Sequence, residues 1–166
     1  MVKMKSLLRR LGLGLLILAC TTCNALAQQS QKLEFADDLA ALGKVSAARQ
    51  VPILLVFTYP VCSYCMRAKA AHLEPMRVSP NYGSKVIMRE IETENSALAL
   101  RDFDGSPTTH ADITRKYDVR SVPTVIVVDA KGKLLADPII GLADPDFYDL
   151  YLEQAIDTGR LLLRQK

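Results

Sequence analysis

Cys62-Ser63-Tyr64-Cys65 sets two thiols one helical turn apart, a spacing at which one sulfur can attack a disulfide and the other can release the product. The thiolate is the nucleophile in such exchange, so the question is what lowers the cost of the anion. The pair follows the apolar stretch Val51 to Phe57 and the break Tyr59-Pro60. It opens a segment of helical pattern in which Met66, Ala70 and Leu73 share a face until Pro75. Cys62 therefore stands at a helix N-terminus, where unpaired backbone N–H groups and the helix dipole favour a negative sulfur. Cys65, one turn further in, is expected to be shielded and to resolve a mixed disulfide formed on Cys62.

Other uses of the same cysteines stay open at this level. A structural disulfide is a common fate of cysteines in exported proteins, although a bridge over two residues closes a loop too short to stabilise much. A zinc site would need further ligands, and His72 and His110, the two histidines of the chain, lie far apart in sequence. Read singly, His72 is a helix-face residue and His110 a loop or capping residue. No cofactor and no resident metal is expected.

With 166 residues and 49% apolar composition, the chain suits one domain with a proper core. Met1 to Arg10 carries Lys3, Lys5, Arg9 and Arg10 and no acid; Leu11 to Ala19 is apolar, and Ala25-Leu26-Ala27 follows. That order is expected of a secretory signal peptide over residues 1–27, leaving a mature domain over 28–166. The apolar run is too short to serve as a membrane anchor. Cys20 and Cys23 fall within the leader. An alternative is lipidation at Cys20, since Ile17-Leu18-Ala19-Cys20 loosely matches a lipoprotein processing site, which would hold the protein at the membrane. Loss of the four basic leader residues takes the formal charge from +3 to −1. The mature chain then carries mixed charges with no basic stripe, so nucleic acid is not an expected partner.

Along the mature chain, Leu33 to Arg49 shows helical spacing and Val51 to Phe57 reads as a strand covered on both faces. Within Lys85 to Ile91, Val86, Met88 and Glu90 alternate against Ile87, Arg89 and Ile91, which predicts a second strand. Glu92 to His110 reads as loop, with a short helix near Ala97 to Arg101; Asp102 to His110 is either a plain loop or a partner contact. Asp112 to Tyr117 predicts a brief helix. Thr124 to Val128 and Lys133 to Ala136 predict a hairpin about Asp129-Ala130-Lys131-Gly132. A last helix is expected from Asp144-Pro145 to Thr158, before Gly159. Strands alternating with helices and closing on a hairpin imply an α/β domain with a mixed sheet covered on both faces.

The Cys-x-x-Cys helix after a buried strand, followed by Tyr117-Asp118-Val119-Arg120-Ser121-Val122-Pro123-Thr124 leading into Val125 to Asp129 and Gly132, resembles the thioredoxin superfamily. The likeness is strongest to its periplasmic thioredoxin-like members and covers nearly all of Leu33 to Leu162. It implies a thioredoxin-like fold, with a mixed central sheet flanked by helices on both faces. It also implies a cis Pro123 facing the cysteines, with the backbone of Val122 offered to a substrate strand and Tyr64 beside it. The chain departs from the family at two places: Val56 replaces a buried aspartate that helps move protons at the second thiol, and Val61 replaces an aromatic residue. Phe57-Thr58 and Ser63-Tyr64 instead resemble periplasmic disulfide isomerases and, more loosely, glutaredoxins. The function so implied is thiol:disulfide exchange in the periplasm, most simply the reduction of disulfides in exported client proteins with a membrane electron donor. Oxidase or isomerase action, or a non-enzymatic partner- or metal-binding module, are the alternatives.

Overall fold

Every residue from Ile53 to Thr58 is buried, because this run of branched and aromatic side chains has helices to pack against on both of its faces. It forms β1 (Ile53–Thr58), the second strand of a four-stranded sheet in the computed structural model, which describes residues 32–165. The expected signal peptide, with Cys20 and Cys23, lies outside the described residues. On one side β1 pairs in parallel with β2 (Ile87–Glu92); on the other it pairs antiparallel with β5 (Thr124–Val128), which pairs antiparallel with β6 (Ile139–Ile140). The sheet is mixed, as the alternation of elements requires.

One face of the sheet is covered by α2 (Ser63–Ala68), a π-helical turn (Lys69–Leu73), α3 (Glu74–Val78) and α5 (Tyr148–Arg164). Leu54, Val56, Met88 and Val125 meet Ala68, Leu73, Tyr148, Leu152 and Ile156 there. The other face is covered by α1 (Leu39–Arg49) and α4 (His110–Lys116), where Leu55, Phe57, Ile91 and Ile126 meet Leu39, Leu42 and Ile113. No helix among the described residues is long and apolar enough to cross a membrane.

Several boundaries differ from the sequence expectation, each for a local reason. The first helix begins at Leu39 rather than Leu33, because Glu34 and Ala36 hydrogen-bond Glu90 in a parallel bridge along the outer edge of β2. Asp38 then caps the helix by accepting from the Ala41 N–H at 2.7 Å. The helix carrying the cysteines runs on to Val78 through Pro75; the π-helical turn just ahead widens the ladder where a proline ring would otherwise meet a backbone carbonyl. The expected short helix near Ala97 is absent: the Asn95 side chain takes the Ala97 and Leu98 N–H groups. Asp102 to His110 is largely taken up by the hairpin of β3 (Ala99–Arg101) and β4 (Pro107–Thr109). The arm after Gly132 is interrupted: Leu134 bridges Val128, but Pro138 intervenes before β6 resumes the pairing at Ile139. The last helix passes through Gly159, which is buried close against Val127 and Pro52 where a side chain would be crowded.

Candidate active site

The apolar strand ends at Thr58, and the chain turns through Tyr59-Pro60 so that Cys62 becomes the N-cap of α2. Its backbone is extended (φ −85°, ψ 106°), and its sulfur accepts the Cys65 N–H at 3.0 Å. A sulfur in that place sits among the unpaired amides of a helix start, which stabilise negative charge there. Cys62 and Cys65 are joined as a disulfide with Cα atoms 5.2 Å apart. Cys62 is half-buried, whereas Cys65 is only 1% exposed. An incoming disulfide can therefore reach the first sulfur and not the second.

Val122 and Pro123 come to the same place from the loop before β5. The Val122–Pro123 peptide is cis, and Cys62 Sγ lies 3.9 Å from the Val122 carbonyl oxygen. Tyr64 projects beside them, more than half exposed, with the Arg67 guanidinium 6.0 Å from its ring centre. A groove of about 470 Å³ is lined by Tyr64, Arg67, Val122, Pro123, Leu142 and Pro145. A second, of about 290 Å³, is lined by Tyr59, Glu94, Val119, Arg120 and again Val122. The two grooves share Val122, the residue whose carbonyl oxygen lies beside Cys62 Sγ. A larger groove of about 790 Å³ opens between the Leu134–Ile140 segment and α5 and contains neither cysteine.

The two histidines are placed elsewhere. His72 pairs with Asp149 at 2.9 Å and packs on Tyr148. His110 is neither in a loop nor a cap: it is the wholly buried first residue of α4. Its Nδ1 accepts from the Glu92 N–H at 3.0 Å, and its Nε2 donates to the Ala36 carbonyl at 2.8 Å. Burial keeps the ring neutral by pushing its pKa below the ordinary value, against the opposing pull of the Ala36 carbonyl, Glu92 and Glu90. Among the described residues no cluster of three or more histidine, cysteine or acidic side chains is arranged to hold a metal.

One residue of chemical interest escaped the sequence reading. Glu90 lies opposite Val56 in the β1–β2 register and is 3% exposed. Its Oε1 accepts from Thr58 Oγ1 at 2.6 Å and from Lys69 Nζ at 2.7 Å. The available signal was its place in the alternation with Val86 and Met88, which puts a carboxylate on a core-facing position.

A buried strand, a redox disulfide at the start of the following helix and a cis-proline against it together define a thioredoxin-like domain. A model of the thioredoxin-like domain matches residues 40–156, and the chain belongs to that family. Solved structures agree on the fold. A DsbH oxidoreductase is 18% identical with a TM-score of 0.54, covering 76% of this chain and 85% of its own. Thioredoxin O2 from Arabidopsis thaliana is 18% identical with a TM-score of 0.51, covering 76% and 96%. A thioredoxin-fold protein from Helicobacter pylori is 21% identical with a TM-score of 0.51, covering 68% and 73%. No curated protein matches the sequence.

Proposed function

We propose that this chain is an exported thiol:disulfide oxidoreductase that reduces disulfides in periplasmic client proteins. The observation that carries this reading is the asymmetry of the cysteine pair: Cys62 is reachable, capped into the helix and beside Val122, whereas Cys65 is buried one turn behind it. Reduced Cys62 attacks a client sulfur, one client thiolate departs, and a mixed disulfide forms. Cys65 then attacks Cys62, the second client thiolate leaves, and the protein is left oxidised. The client segment lies across Val122 as an added strand, with side chains entering the flanking grooves.

Export is supported by the basic, apolar and small-residue order of residues 1–27; lipidation at Cys20 would tether the same domain to the membrane facing the periplasm. In an oxidising compartment the disulfide must be reduced again after each turnover, which calls for an electron donor in the membrane. The test has two parts. Cys65→Ser should accumulate client mixed disulfides through Cys62, recoverable by reductant. Equilibration of the mature chain in glutathione buffers should give a reduction potential near that of reducing thioredoxins. A potential near that of strong periplasmic oxidants would reverse the direction, and no trapped client would leave a binding module.

A further inference from the structure

We propose that Glu90 takes the proton of Cys65 during the resolving step and that Lys69 positions its carboxylate for this. The inference rests on the dithiol reading above and adds a proton path to it. Cys65 and Lys69 are one turn apart in the same helix, where residues four apart share a face, and both turn inward: Cys65 is 1% exposed and the Lys69 side chain 26%. Helical Cα–Cβ bonds tilt toward the N-terminus, so the Lys69 stem leans back along the face that carries Cys65. The Lys69 ammonium ends 2.7 Å from Glu90 Oε1, on the sheet face that α2 covers. Thr58, four residues before Cys62, donates to the same oxygen. Three elements thus bring a buried carboxylate beneath the redox helix. A lone carboxylate is costly to bury, and ordinary core packing at this position would favour an apolar residue such as its neighbour Met88.

In the step, the Cys65 sulfur bonds to the Cys62 sulfur while the bond between Cys62 and the client breaks. The electron pair leaves with the client thiolate, and the Cys65 proton passes to the Glu90 carboxylate. The charged groups around Glu90 are Lys69 from the helix, Glu92 from β2 and His110 from α4, and Cys65 stands one turn ahead of Lys69 on the same helix face. His110 is held neutral, so it does not titrate across the range tested.

Mixing the reduced mature chain with an aromatic disulfide that releases a coloured thiolate separates the steps. A first burst reports attack by Cys62, and a second reports resolution by Cys65. Glu90→Gln should slow the second burst at pH 7 by roughly 10- to 100-fold, the lower range of general-base effects, and change the first by less than about threefold. The deficit should shrink as the pH approaches about 8.5, where a free thiol ionises unaided. Glu90→Asp should recover part of the rate. Glu90→Gln with Lys69→Met removes both charges together, guards against misfolding of the single variant, and should show the same deficit. A second burst at the wild-type rate in either variant, or one slowed equally at every pH, overturns the proposal. If the wild-type chain itself gives no second burst, the dithiol reading fails first.

Discussion

Glu90, within β2, and His110, packed against it, are both buried, yet they are held in different ways. His110 is bound at each ring nitrogen by a backbone group, the Glu92 N–H and the Ala36 carbonyl. Neither nitrogen is left to trade a proton, and the ring instead ties α4 to the segment ahead of α1. Glu90 is held at one oxygen by two side chains, Thr58 and Lys69, and the second of these belongs to the helix that carries the cysteines. The difference teaches that burial alone does not mark a working group. What matters is whether its partners are fixed backbone or movable side chains, and which element supplies them.

The sharpest way to break this comparison is to damage each side separately. Cys62→Ser should bring exchange below detection, while the reduced protein keeps its stability within about 1 kcal/mol, since a serine hydroxyl is a good N-cap for the same amide. Insulin reduction and urea unfolding read the two quantities. On the other side, His110→Leu should cost about 2 to 4 kcal/mol, because the Glu92 N–H and the Ala36 carbonyl both lose their partner in a buried place. The two-burst exchange rates of the folded fraction should be unchanged.

His110 also predicts a pH dependence. Its folded pKa lies below the ordinary 6.5 of the unfolded chain, so the unfolded state takes up its proton first on acidification. The contribution of His110 to stability is complete above about pH 6.5 and falls away as the pH drops toward the folded value. Urea midpoints between pH 7 and 5 should fall in the wild type, and less steeply in His110→Leu. Gly43→Ala tests the same structural face: the new methyl would run into the Ala130 carbonyl, at a cost of about 1 to 3 kcal/mol with exchange intact. The smallest change is expected on the redox side. The Tyr148 hydroxyl is buried with no hydrogen-bond partner, and burial, with Asp149 beside it, pushes its pKa up to about 12. Tyr148→Phe should leave stability within about 1 kcal/mol or raise it slightly.

Most of the scaffold was legible because its signals are local. An unbroken apolar run marks β1, a proline and a turn precede the cysteines, and Gly132 closes the turn after β5 at φ +80°. The errors arose where a residue answers to a distant partner. Phe35 fits a helical stripe and a strand equally well, and Glu90, far along the chain, draws it into a parallel bridge. Gly159 reads as a stop, yet its missing side chain is what lets α5 approach Val127. At the site, both cysteines could be named from their spacing and place before a helix, and Val122 and Pro123 from the resemblance to the thioredoxin superfamily. Glu90 could not be assigned chemistry, because its meaning depends on a register with β1 and on a lysine from another element.

The central claim is that the start of α2 makes a thiolate at Cys62 and hides Cys65. It is tested most directly by the pH dependence of alkylation of the reduced mature chain, with the modified residue identified by mass spectrometry. The account predicts that Cys62 is modified first, with a titration well below the free-thiol value of about 8.5, and that Cys65 stays unmodified while the protein is folded. Titration of Cys62 at or above that value, or first modification at Cys65, would contradict it.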